Sequence, residues 1–219
     1  MTRLILASAS PARLSTLRAA GLTPEVVVAG IDEDACRERN GELLDPLPPL
    51  EYAEATTTLL ATEKARAVAK RLRDAGDVDD VLIIGCDSML LFNGELAGKP
   101  HTPEVARERW RTMRGNEGDL VTGHTLIHLA GENSEERSGA VTTRLTFAQL
   151  SDAEIDAYVA TGEPLEVAGG FTLDALGGPF VTRIEGDYHS VIGLSLPLAR
   201  QLAADMGVFW PSLWASQAR

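Results

Sequence analysis

RLILASASPARL, residues 3–14, passes from an apolar run to helix signals within four residues. Leu4, Ile5 and Leu6 suit a buried strand. Ser10 is a good N-cap, and Pro11 fits the first helical position because its missing N–H would be unsatisfied there anyway. Leu14, Leu17 and Ala20 keep helical spacing, and Gly21 supplies the stop. A strand feeding a helix N-terminus leaves backbone N–H groups pointing outward, where they and the helix dipole attract phosphate. Ser8, Ser10 and Arg13 stand at this turn, the arginine with a planar fork that can hold two phosphate oxygens. A plain helix cap with a surface arginine is the commoner use of such a turn.

Downstream, Val26-Val27-Val28 predicts a second strand, and the Pro-rich, acidic stretch 41–50 predicts a loop. A long helix is expected from about Glu51 to Asp74, with Ala61, Ala65, Val68 and Leu72 as its apolar stripe and Gly76 at its end. Val81–Ile84 reads as a buried strand leading into Cys86 and Asp87. Asn93-Gly94 is a hairpin signal. Thr102-Pro103 opens a helix that closes at Gly115. Two long strands, about 119–130 and 138–148, are expected to meet through a turn at Gly131, Glu132 and Asn133. Ser151 and Glu154 form a capping box ahead of Ile155, Tyr158 and Val159. A Gly-rich stretch at 162–178, a strand near 180–184 and a helix near 195–206 complete the chain. Alternating strands and helices followed by antiparallel strands predict a mixed α/β sheet.

The chain has 219 residues, is 44% hydrophobic and carries a net charge of −12. That size can bury a sizeable core, and one domain over 1–219 is expected. The negative charge argues against a nucleic-acid or anionic-membrane coat, since either needs a basic surface. A small polyanion is compatible, because it needs only a few cations focused in one cleft. There is no spanning apolar run and no signal-peptide pattern. Cys36 and Cys86 lack metal spacing and predict no disulfide framework, so a reducing cytoplasm is the expected compartment.

Asp87, read as lying just past an apolar strand, could ligate a metal, take a proton from water, or simply cap a turn. Lys99, after the hairpin, and Lys64, beside the stripe of the long helix, could reach the same cleft or remain solvated surface lysines. Asp32-Glu33-Asp34 could offer a metal carboxylate or be a solvated edge. His101, His124, His128 and His189 lack a zinc pattern, with His124 and His128 on one strand face. No Walker loop, GxGxxG or GxSxG is present. Asp87-Ser88-Met89 lacks the second aspartate of a phosphoaspartate phosphatase.

Taken together and in order, LASASPARL (6–14), IDE (31–33), EKA (63–65), GCDS (85–88), NGELAGKP (93–100), TG (122–123), FAQLSDAEIDAYVATGEPL (147–165), AGGF (168–171), LGG (176–178), RIEGD (183–187) and VIGLSLPL (191–198) resemble the Maf family of nucleotide pyrophosphatases. The resemblance spans nearly the whole chain. It implies an inosine-triphosphatase-like fold, a curved mixed sheet flanked by helices with a cleft between two lobes. It implies hydrolysis of nucleoside triphosphates to monophosphate and pyrophosphate with Mg²⁺ or Mn²⁺, and a homodimer. Carried over by motif, Ser8, Arg13, Lys64 and Lys99 match phosphate-contacting positions, Glu33 an acidic position and Asp87 the catalytic aspartate; Ser10, at the same turn as Ser8, is an expected phosphate contact, and Glu33 and Asp87 are the expected metal carboxylates.

Three departures matter. Ala12 stands where the family commonly has a first arginine, so a phosphate contact is lost or comes from elsewhere, with Arg109 and Arg111 as candidates. Residues 41–60 fit the family poorly. Val167 and Asp174 replace a lysine and a glutamine of the branch acting on thymidine and uridine triphosphates, so the loop looks closer to the carboxylate-bearing branch that prefers 7-methylguanosine triphosphate. Asp174 is therefore the expected base reader. A nucleotide-binding regulator of cell division without turnover, and a phosphomonoesterase, are the competing expectations.

Overall fold

A computed structural model describes residues 2–214 of the chain. β1 (Arg3–Leu6) runs into α1 (Pro11–Ala19), with the Ser10 side chain accepting from the Arg13 backbone N–H as the N-cap. The predicted second strand shrinks to β2, Glu25–Val26, whose two residues are both exposed, so burial does not extend it to Val28. α2 (Glu33–Arg39) is capped by Asp32. The stretch expected as a loop at 41–50 contains a short helix, α3 (Gly41–Leu44), which buries Leu44. The long helix α4 (Pro49–Asp74) begins two residues earlier than expected because Pro49 takes its first position.

β3 (Val81–Phe92) and β4 (Glu95–Ala97) form the predicted hairpin. Asn93 and Gly94 both have positive φ (52° and 82°), as the tight two-residue turn requires. α5 (Pro103–Met113) follows its Thr102 cap. β5 (Glu117–Ala130) and β6 (Asn133–Phe147) form a long antiparallel pair closed at Ala130 and Asn133. The capping box of Ser151 and Glu154 opens α6 (Asp152–Ala160). After β7 (Val181–Glu185) comes a helix that periodicity did not reveal, α7 (Tyr188–Ile192), then α8 (Leu196–Ala204). A five-residue helix is barely longer than one turn and carries no readable stripe.

The seven strands form one mixed sheet in the order β2-β1-β3-β5-β6-β7, with β4 added to β3. β1 is parallel to β2 and β3, and the remaining pairs are antiparallel. β3 is the spine. Its first half contributes Leu82, Ile84 and Cys86 to a core closed by Leu17, Leu194, Leu202 and Leu213. On the opposite face, Ile83 packs with Ala65, Val68 and Ala69 of α4. Its second half contributes Leu90 to a separate core around Trp110, Phe147 and Tyr158. Burial of each such large side chain contributes about 1.5–3 kcal/mol, so both halves are firmly held.

α4 lies on the sheet at unusually short range. A Cβ on Gly85 would come 2.3 Å from the Ala61 carbonyl oxygen, and one on Gly123 would come 2.2 Å from the Thr57 carbonyl carbon. Gly123 pairs directly with Asp87 across the β3–β5 ladder. Two glycines therefore form a saddle for α4 beside Asp87.

Candidate active site

Asp87 lies in the middle of β3, paired in register with Gly123 of β5, beyond the point where β1 stops pairing at Ile84. This corrects the expectation that it follows the end of a strand or caps a turn. The apolar run Val81–Ile84 does end, but the backbone continues extended because β5 pairs with it as far as Leu91. The side chain of Asp87 is 9% exposed. Because Gly85 and Gly123 let α4 settle close, Lys64 Nζ reaches Asp87 Oδ1 at 2.6 Å. The same ammonium lies 2.6 Å from Glu33 Oε1, so the two carboxylates come within about 5 Å of one another. Burial pushes the Asp87 carboxyl above its usual range, and the neighbouring Lys64 and Arg13 charges oppose that rise. Asp87 Oδ2 is buried without a hydrogen-bond partner among the described residues.

Arg13 is buried and its guanidinium is largely committed to the protein. Nε donates to the Gly193 carbonyl at 2.8 Å. Nη1 donates to Ser8 Oγ at 3.0 Å and to the Cys86 carbonyl at 2.7 Å, and Nη2 to Ser88 Oγ at 3.1 Å. Four of the five N–H donors of an arginine are thereby occupied. Ser8 Oγ also accepts the Ser10 backbone N–H at 3.2 Å, so arginine and turn brace each other. Ser88, which bonds Thr122 in turn at 2.9 Å, was not singled out from the sequence, because a lone serine on a strand carries no signal.

Lys99 follows Gly98, whose carbonyl accepts from Arg109 Nη1 at 2.5 Å and from the Gly169 N–H at 3.2 Å. Its side chain is half exposed, with Nζ 3.9 Å from Glu166. Ser8, Ser10, Arg13, Glu33, Lys64, Asp87, Lys99 and Asp174 all line a single cleft of about 1230 Å³. Neither arginine named as a candidate for the contact absent at Ala12 lines this cleft. Arg109 Nη1 donates to the Gly98 carbonyl, and Arg111 lies near Glu108 along α5. A further cation that lines it is Arg37 of α2, in contact with Asp34. Sequence reading missed it because a short acidic-and-basic helix looks like solvated surface.

Cys86 is fully buried, and burial pushes its thiol up to about 11, far from nucleophilic. Cys36 and Cys86 are both buried, with free thiols. Among the described residues no cluster of three or more His, Cys, Asp or Glu could hold a metal ion. The two carboxylates that share Lys64 in the cleft, Asp87 and Glu33, are the residues that could hold a cation together with oxygen atoms of a substrate. That is the usual way Mg²⁺ is held, by one or two carboxylates with phosphates completing the shell.

A mixed α/β sheet whose central strand carries a buried, lysine-paired aspartate into a large cleft lined by several charged side chains defines an α/β protein with a site for a charged small molecule. The family profile described as Maf-like protein matches residues 3–206. The chain is 51% identical to the nucleoside triphosphate pyrophosphatase of Nocardia farcinica, over 99% of this chain and 98% of that protein. It is 49% identical to the protein of the same name from Saccharopolyspora erythraea, over 97% of each, and 50% identical to that of Rhodococcus opacus, over all of this chain and 99% of that one. The chain belongs to the Maf family.

Proposed function

We propose that this chain is a nucleoside triphosphate pyrophosphatase, a hydrolase that splits the bond between the α- and β-phosphates and releases a nucleoside monophosphate and pyrophosphate. The full-length similarity to enzymes of that name supports the reaction class. The observation that carries it to particular residues is the buried Asp87 carboxylate, bonded through Oδ1 to Lys64 and unpartnered at Oδ2. Asp87 is the base: it orients a water in line with the α-phosphorus and takes its proton as the bond to the bridging oxygen breaks. Positioned proton transfer of this kind contributes about 10²–10⁴-fold in rate. Lys64 and Lys99 bind phosphate oxygens, and the Ser8–Ser10 turn holds another phosphate through hydroxyl and backbone donors. Arg13 keeps that turn in shape and has one N–H left for the substrate.

The orphaned, buried oxygen of Asp87 and the adjacent Glu33 suit a divalent cation, Mg²⁺ or Mn²⁺. When bound, such an ion neutralises charge on the phosphate oxygens. The two buried free thiols favour a reducing compartment, the cytoplasm, and no helix among the described residues is long and apolar enough to cross a membrane. The net charge disfavours nucleic acid and anionic lipid as partners, and a homodimer is the assembly proposed from the family.

Incubating the protein with a panel of triphosphates and Mg²⁺ tests the reaction. Pyrophosphate is the expected product. Orthophosphate would instead identify a phosphomonoesterase, and no turnover a regulator.

For the base, Asp174 on the cleft wall is a hydrogen-bond acceptor only. Guanine-type bases present adjacent N1–H and N2–H donors and cytosine an amino group, whereas the single N3–H of thymine is flanked by two acceptors that a carboxylate cannot satisfy. Guanosine-type or cytidine triphosphates, methylated forms included, are expected to exceed thymidine triphosphate in kcat/KM. A wild-type preference for thymidine triphosphate, or an unchanged ranking in Asp174→Gln, removes Asp174 as the reader.

A further inference from the structure

The wall that carries Asp174 is not a free loop. Thr172, Leu173 and Asp174 line the cleft, and both feet of this turn stand on one carboxylate, that of Glu163. Glu163 Oε1 accepts from Thr172 Oγ1 at 2.5 Å, from the Gly177 N–H at 3.0 Å and from Tyr158 Oη at 3.0 Å. Oε2 accepts from the Leu176 N–H at 3.2 Å. The Tyr158 hydroxyl closes the ring by accepting the Thr172 N–H at 3.2 Å. Gly177 has no room for a side chain: a Cβ there would come 2.5 Å from Tyr158 Oη and 2.6 Å from the Thr172 carbonyl.

The clamp is anchored in the core. Tyr158 is 3% exposed and meets Trp110 and Phe180 edge to face at 5.6 and 5.2 Å. Burial raises the tyrosine's pKa strongly, so it remains a hydroxyl donor. Burial also pushes the Glu163 carboxyl up, but the hydrogen bonds from Thr172, Leu176, Tyr158 and Gly177 outweigh it and hold the group below the usual range. Glu163 itself does not line the cleft. The groups assigned to the triphosphate come from other elements: the Ser8–Ser10 turn, Lys64 on α4 and Lys99 after β4.

We infer that Glu163 is a positioning residue for base recognition: its carboxylate fixes the two feet of the 172–177 turn and so sets where Leu173 and Asp174 meet the nucleobase. The inference rests on the proposed reading of this wall as the base site. Glutamine at 163 keeps the size but turns an NH2 donor toward groups that themselves donate, so the turn loses its fixed shape.

The test compares wild type, Glu163→Gln, the milder Thr172→Val and Asp174→Ala. It measures kcat and KM across the triphosphate panel, and the inhibition constant of inorganic tripolyphosphate, which has phosphates but no base. Glu163→Gln is expected to raise KM for the preferred substrate about tenfold, the equivalent of about 1.4 kcal/mol. The spread between best and worst bases should narrow by a similar factor. The tripolyphosphate constant should stay within about twofold of wild type, and kcat should change little. Thr172→Val, which removes one clamp bond, should move the same quantities less and supplies the readout if Glu163→Gln does not fold. Equal losses for every base and for tripolyphosphate would reduce Glu163 to a general structural role and overturn the inference. An altered ranking in Asp174→Ala with none in the clamp variants would overturn it while leaving the wall as the base site. An unchanged ranking in all three variants would overturn both.

Discussion

Asp87 and Lys64 form the smallest unit that matters. An aspartate at 9% exposure is costly to keep charged, and the ammonium at 2.6 Å offsets that cost while leaving the second oxygen without a partner. Asp87→Asn keeps the size but cannot take up a proton as a carboxylate does. We expect kcat to fall by about 10²–10⁴-fold with an unchanged circular dichroism spectrum. Near wild-type turnover in a folded variant would remove Asp87 from the chemistry. Protein stripped with chelator should be inactive and recover with Mg²⁺ or Mn²⁺, because two carboxylates and a triphosphate in one cleft need a counter-charge. Full turnover in excess chelator would sink that expectation. Arg13 makes a different point. With four donors committed to Ser8, Cys86, Ser88 and Gly193, its main work is to hold the turn against the sheet.

At the scale of elements, the approach of α4 to the sheet makes the acid–lysine pair possible. Gly123 pairs with Asp87 and faces the α4 backbone at Thr57 and Thr58, with no space for even a methyl group. Gly123→Ala must push the helix away or distort β5. Overpacking of this kind costs about 1–3 kcal/mol, and rigid backbone on both sides argues for the upper end. Displacing α4 also lengthens the Lys64–Asp87 contact, so activity should fall more than stability alone explains. Urea unfolding and kcat/KM measured at a temperature where the variant is fully folded test this together. Wild-type values in both would mean that the saddle is not needed.

At the scale of the whole molecule, a buried histidine ties the sheet to the last helix. His124 Nε2 accepts the Ser195 N–H at 2.7 Å, and Nδ1 lies 3.1 Å from the Thr122 carbonyl, which requires the neutral Nδ1–H tautomer. Burial, aided by the Arg13 charge, lowers its pKa from 6.5 to about 4, against the smaller pull of Thr122 and Asp187. Between those values the unfolded chain binds a proton that the folded one refuses. The contribution of His124 is therefore complete above pH 6.5 and is lost as pH falls toward 4, up to about 3 kcal/mol. Denaturant midpoints measured from pH 7 to 4 should fall more steeply for wild type than for His124→Gln, whose amide does not titrate. Parallel profiles would assign the acid sensitivity to other groups.

Much of this protein is legible one residue at a time. The opening strand and its Ser10-Pro11 helix start, the Asn93-Gly94 hairpin, the Thr102 cap and the Ser151–Glu154 box rest on contacts within a few residues, and each lies where the sequence puts it. The order of short motifs likewise sufficed to gather eight candidate residues that line one cleft. What lay outside the sequence depends on partners distant along the chain. β3 continues through Asp87 because β5, some thirty-five residues later, pairs with it. α3 and α7 are too short for a period to declare them. Arg37 reaches the cleft, and Arg109 is spent on the Gly98 carbonyl, because of where their helices dock. The four donors of Arg13 and the Glu163 clamp are likewise products of packing. Local backbone preferences are written in adjacent side chains, whereas the distance between two charges is set only when helix and sheet close on each other.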